Sequence, residues 1–284
     1  MNRGVVLIAV GHPNYGRMAA ALASTLRLSN DDIKITLLYS NEAISELRED
    51  ELSLFDLQLL DKETYKEGRY LRPKLLLYDL SPYDETIYLD VDMAWLGGSI
   101  NDLFYECVDS DFNMKNYGYT NINKSIDDVK DWAMASHVAI AYSLSDEKNF
   151  HLSSECLYFK KTKDVKKLFS LALKIFDKPK VESREFAGYV ADELAFNIAM
   201  MKLKLYPSIE NWQPIFWRQS NKALCTIQNL KENFKALSMG GVRATDTEQF
   251  IYNTLVSSAY YKLGILYPYK WINKYRFLRE RKII

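Results

Sequence analysis

Cysteine and histidine are scarce in this chain, with three of each among 284 residues. Cys107, Cys156 and Cys225 are far apart and odd in number, with no Cys-x-x-Cys or Cys/His ligand spacing. That excludes a disulfide scaffold and a zinc site and fits reduced, packed thiols. Net charge is lacking too: 37 basic residues cancel 37 acidic ones, so the molecule as a whole is no electrostatic binder of nucleic acid. No stretch approaches the roughly 20 apolar residues of a membrane span. The first apolar run, within MNRGVVLIAVGHPNYG, has only seven residues and no small-residue cleavage site, so a first strand is expected there and not a signal peptide. Internal repeats and low-complexity segments are absent. What is present is 48% apolar and 26% charged residues, the composition of a globular protein with a full core.

The stretch with the strongest pattern is TIYLDVDMAWLGGSINDLF, Thr86 to Phe104. Its apolar run reads as a buried strand that delivers Asp90 and Asp92 to a functional edge, on one side of the strand with Val91 on the other. Two neighbouring carboxylates repel, so a cation is expected with them, and a hard divalent ion carrying a diphosphate would meet that demand. A turn-capping Asp beside a solvated one is the plainer reading.

Upstream, Gly4 to Val10, Tyr15 to Leu28 and Asp32 to Tyr39 read as a β-α-β unit, whose first loop is where such units meet ligands. Tyr15 is placed to stack on a base and Arg17 to approach a phosphate, against a packed Tyr15 and a solvated Arg17. His12 is a lone loop histidine. A polar helix over Glu42 to Glu51, a strand near Phe55 to Leu60 and a helix with Tyr70, Lys74, Leu75 and Tyr78 on one face follow, Pro73 in its first turn. Lys74 is expected to reach the paired carboxylates or a donor phosphate, with solvation the alternative. Asn113 to Ser125 reads as polar loops and Ile126 to Ser136 as a helix. Leu152 to Lys160 reads as a strand and Lys163 to Phe176 as an amphipathic helix. Asp192 and Glu193 open another helix, where the dipole favours acidic groups whether or not they do chemistry. Ala236 to Arg243 reads as a strand and a Gly-Gly turn. Tyr260 to Ile284 carries seven Lys/Arg against one Glu among Tyr, Trp and Phe, which suits an anionic membrane surface, a nucleic-acid backbone or a packed terminal helix.

The order of β-α-β start, Lys74, YLDVD, SSECLYF, ADELAFN and a distal Gly-Gly strand resembles the GT-A glycosyltransferases, most closely family 8, over roughly residues 4 to 243. The resemblance implies an α/β fold, a Rossmann-like, mixed and mainly parallel sheet flanked by helices, with the basic aromatic segment at its end. It implies a domain over 1–259, divided into a nucleotide-sugar-binding half (1–104) and an acceptor and catalytic half (105–259), before a tail over 260–284. Asp90 and Asp92 would hold Mn2+ or Mg2+ on the diphosphate of a nucleotide sugar, UDP-linked. Lys74 would contact the donor or order the carboxylates, and the loop from Val10 to Tyr15 would take the uridine. An ionised Glu193 would stabilise an oxocarbenium-like centre or attack it, Asp192 would bind acceptor or donor hydroxyls, and Asn197 would support the helix start. One departure stands out. The family's third metal ligand, a histidine in a His-x-x-Gly-x-x-Lys-Pro-Trp segment, has no match here; Ser238-Met239-Gly240-Gly241 takes its place, with Arg243 as a phosphate partner. The resemblance implies retaining transfer to a saccharide of a surface glycan, in the cytoplasm or at the inner face of a membrane. Two other readings stay open: transfer to hydroxymethylated bases of phage DNA, and a binding protein on a scaffold that has lost turnover.

Overall fold

The computed structural model describes residues 2–29, 32–65, 70–121, 136–144, 148–180, 191–216, 226–240 and 246–267. Most of the helix expected over Ile126 to Ser136, together with Cys225, Gly241, Arg243 and the tail from residue 268, lies outside them. Along the chain run β1 (Arg3–Ala9), α1 (Pro13–Arg27), β2 (Ile35–Tyr39), α2 (Asn41–Ile44), α3 (Glu49–Leu52), β3 (Asp56–Leu59), α4 (Arg72–Leu75), α5 (Leu77–Leu80), β4 (Glu85–Leu89) and β5 (Met93–Trp95). Then come α6 (Asn101–Glu106), β6 (Phe112–Asn121), α7 (Ser136–Ala141), β7 (Lys148–Lys160), α8 (Lys163–Asp177), α9 (Asp192–Leu203), β8 (Ile215–Phe216), α10 (Ile227–Asn233), β9 (Ala236–Ser238) and α11 (Asp246–Leu263).

The chain divides into two compact units, each made of several chain segments. One comprises Met1–Val6, Leu60–Leu89 and Phe104–Gln213; the other comprises Leu7–Leu59, Asp90–Leu103 and Pro214–Ile284. The boundary read at 104/105 falls beside one switch between units, whereas the one at 259/260 falls inside α11.

In the first unit β1 pairs parallel with β4, β4 antiparallel with β7, and β7 antiparallel with β6, which makes the sheet mixed. Every residue of β4 is buried, as its apolar run predicts for a central strand. β6 corrects the polar loop expected from Asn113: Asn113, Lys115 and Asn116 are fully buried because β7 and the Ser208–Trp212 segment supply their partners. α8 is amphipathic as read, capped by Thr162, with Val165, Leu168, Phe169, Ala172, Ile175 and Phe176 buried. α9 is apolar on nearly every side and therefore buried. Phe169 meets Phe196 edge-on at 5.2 Å between ring centroids, which helps fix how α9 is turned. The single helix expected around Lys74 is instead two short ones, α4 and α5, divided at Leu76. Pro73 does sit in the first turn.

In the second unit β2 pairs parallel with β3, and β5, β9 and β8 form a three-stranded sheet in the order β5-β9-β8. α1 needs glycine at position 16, where a Cβ would stand 2.1 Å from the Ala43 carbonyl oxygen. The polar helix expected over Glu42 to Glu51 divides into α2 and α3. Glu51 is fully buried and ties three helices together. Its carboxylate takes Arg17 Nη1 at 2.8 Å, Arg48 Nη1 at 3.4 Å and the Tyr260 hydroxyl at 3.0 Å. Among the described residues no helix is long and apolar enough to cross a membrane.

Candidate active site

The first unit gathers four polar side chains at the start of α9. Asp192 is its first residue, only 2% exposed, and its Oδ2 lies 3.4 Å from Nζ of Lys74, itself buried. Lys74 Nζ donates to Ser154 Oγ at 3.0 Å and lies 5.5 Å from the Tyr88 ring centroid. Ser154 in turn donates to Glu193 Oε1 through its hydroxyl at 2.8 Å and its backbone N–H at 3.2 Å. Three elements distant in sequence, α4, β7 and α9, thus meet in one hydrogen-bonded chain. Lys74, expected from the sequence near the paired carboxylates or a donor phosphate, has Ser154 and Asp192 among its partners.

Electrostatics separates the two acids. Burial opposes ionisation of both, and the Lys74 ammonium overcomes it at Asp192, whose carboxyl is held below the usual range. Glu193 is pushed up to about 8, by burial and then by the Asp192 charge beside it. Asn197 lies in the second turn of α9. Fully buried, it donates to Asn149 Oδ1 (2.8 Å) and the Phe150 carbonyl (2.9 Å) and accepts from the Phe150 N–H (3.3 Å), locking α9 onto β7. Ser154 was missed in the sequence. Its signal was a small polar residue on the buried side of β7, in phase with Leu152 and Cys156.

In the second unit Asp90 and Asp92 do not share a strand as expected. β4 ends at Leu89, and the chain bends through Val91 and Asp92 before β5 begins at Met93. Both carboxyl residues are half-buried while Val91 is buried. Beside them runs the segment read as the counterpart of the missing histidine: Ser238 pairs with Met93, and the Met239 N–H donates to the Asp92 carbonyl at 2.9 Å. The donor set is hard oxygen, which suits Mn2+ or Mg2+, and it is short, so diphosphate and water oxygens would have to complete the shell. Among the described residues no group of three or more His, Cys, Asp or Glu side chains is gathered for a metal.

Val10, in the loop after β1, is buried, and Tyr15, in the first turn of α1, is 44% exposed. His12 caps α1, its Nδ1 accepting from the Asn14 N–H at 3.1 Å, which is a structural duty. Arg17, expected near a phosphate, pairs through Nη1 with the buried Glu51.

This architecture is the GT-A glycosyltransferase fold. The chain is similar to the apo bifunctional glycosyltransferase WbbM, at 11% identity over 99% of this chain and 52% of that one, with a TM-score of 0.55. It is also similar to the galactosyltransferase LgtC in complex with donor and acceptor sugar analogues, at 12% identity over 89% of this chain and 95% of that one, TM-score 0.54. GlyE of Streptococcus pneumoniae TIGR4 matches in its apo form at 16% identity over 94% of this chain and 65% of that one, TM-score 0.52. The chain thus spans about half of WbbM and about two thirds of GlyE. No family model and no curated protein sequence matches it.

Proposed function

We propose that this chain is a retaining glycosyltransferase that moves a sugar from a UDP-linked donor to a saccharide acceptor of a surface glycan. The observation that carries the reading is the buried Lys74–Ser154–Glu193–Asp192 cluster at the head of α9, on a GT-A fold whose β4 strand runs directly into Asp90-Val91-Asp92. A structural ion pair needs one acid for one lysine. Two acids and a serine hydroxyl around one ammonium supply the polar groups that a sugar's hydroxyls require.

Asp90 and Asp92 would hold the divalent ion. When bound, that ion supplies charge neutralisation for the departing diphosphate. The loop from Val10 to Tyr15 would receive the uridine, with Tyr15 against the base, and Arg243 would serve as a phosphate partner. Asp192 and Glu193 would orient the transferred sugar through its hydroxyls, and Lys74 would keep Asp192 ionised. Of the segment read over 260–284, Tyr260 is buried against Glu51, and the basic and aromatic residues beyond α11 would rest on an anionic membrane surface at its cytoplasmic face.

Thermal unfolding with a panel of nucleotides and nucleotide sugars, each with and without Mn2+, tests the reading. UDP and one UDP-sugar are expected to stabilise the fold only with Mn2+. At about 100 times the dissociation constant the gain is about 2.7 kcal/mol. Absence of any nucleotide response overturns the reading in favour of a scaffold without turnover.

A further inference from the structure

The head of α9 sets two acids against one base. Asp192 faces the Lys74 ammonium, whereas Glu193 Oε1 accepts both of its hydrogen bonds from uncharged donors, the N–H and hydroxyl of Ser154. Asp192 and Lys74 are buried, and Glu193 is half-buried on the same turn. Two carboxylates here would leave one negative charge uncompensated in a poorly solvated place, which is costly. A single proton removes the excess, and the partners decide where it goes: Asp192 has the cation, so Glu193 takes it.

We propose that Asp192 and Glu193 hold one proton between them, carried by Glu193, and that Ser154 is the positioning residue that makes Oε1 the acceptor and leaves the acid O–H for Asp192. Neutral Glu193 then offers one acceptor and one donor, the hydrogen-bonding pattern of a glutamine amide, and is not a carboxylate nucleophile. The direction in which Glu193 is shifted agrees, with the Asp192 charge and a hydrogen bond to that carboxyl among its causes.

Among the described residues, the following packed elements bring charged or polar groups to Glu193. α9 supplies Asp192 and α4 supplies Lys74, with Arg72 of α4 tied to Asp177 of α8 at 2.9 Å. α8 otherwise turns apolar residues inward. β7 supplies Ser154, and β4 supplies the Tyr88 ring beneath Lys74.

The test is a pH titration of the full chain carrying 13C at the glutamate carboxyls, with the Glu193 resonance identified by its loss in Glu193→Gln. The expected wild-type midpoint lies above pH 7. Asp192→Asn should lower it by more than one pH unit, because the neighbouring charge is gone. Ser154→Ala should raise it, because a hydroxyl donor that favours the carboxylate is gone. A wild-type midpoint below pH 6 overturns the shared proton even if both variants fail to fold, and an unmoved midpoint in a folded Ser154→Ala overturns the role of Ser154. The proposal rests on the site, with its use in sugar transfer taken from the functional reading. A midpoint above pH 7 without nucleotide binding would sink that reading alone, and an ordinary midpoint with transfer intact would sink this one alone.

Discussion

Replacing Glu193 by Gln should make the fold less sensitive to alkali. The carboxyl titrates at about 8 in the folded chain against an ordinary 4.5. Between those pH values the unfolded chain releases this proton and the folded chain keeps it, so stability falls as pH rises and levels off above about 8. Three and a half pH units at about 1.36 kcal/mol each set a ceiling of roughly 5 kcal/mol. Glu193 is only half-buried and coupled to Asp192, and water and relaxation screen the site, so about 2 kcal/mol is the working figure. Asp192 acts in the opposite sense, its lowered value giving stability that is lost only as pH falls below about 4. A scan from pH 5 to 9 therefore isolates Glu193. Glutamine preserves the bonds, its Oε1 accepting from Ser154 and its amide donating to Asp192. Wild type and Glu193→Gln should unfold together at pH 5, and the variant should unfold about 4 °C higher at pH 9 by calorimetry. A difference that stays constant across the scan would refute the reasoning.

Asn197→Ala should cost about 3 kcal/mol, because it removes three hydrogen bonds and strands buried groups of Asn149 and Phe150; the urea midpoint should fall with an unchanged m-value. Glu51→Ala, which leaves Arg17 buried without its carboxylate, should cost about 3 to 5 kcal/mol in the same assay, and a loss under about 1 kcal/mol would show that water replaces Glu51. Asp92→Asn should leave ligand-free thermal unfolding within about 1 kcal/mol of wild type while abolishing the Mn2+-dependent gain from nucleotide. Retention of that gain would remove Asp92 from the metal set.

Much of the fold was legible because it rests on local pattern. β4 and β7 are apolar runs bounded by polar turns, α8 alternates with helical period behind Thr162, and α9 begins at the acidic pair where a helix dipole favours acids. The positions of Asp90, Asp92, Asp192 and Glu193 at element ends follow from those patterns alone. What was misread has polar residues whose burial depends on distant partners. Asn113, Lys115 and Asn116 look like a loop until β7 and Ile209 satisfy them. The pairing of Arg17 with Glu51, 34 residues on, has no local signal either.

By itself, then, the sequence determined the central apolar strand β4, the amphipathic helix α8 and the acidic start of α9, since backbone periodicity and capping act over a few residues. Only the tertiary structure decided which acid is charged. The protonation of Glu193 depends on Asp192 next to it, but also on Ser154 from β7 and Lys74 from α4, and a desolvated carboxyl responds to every group packed against it, however far away in the chain.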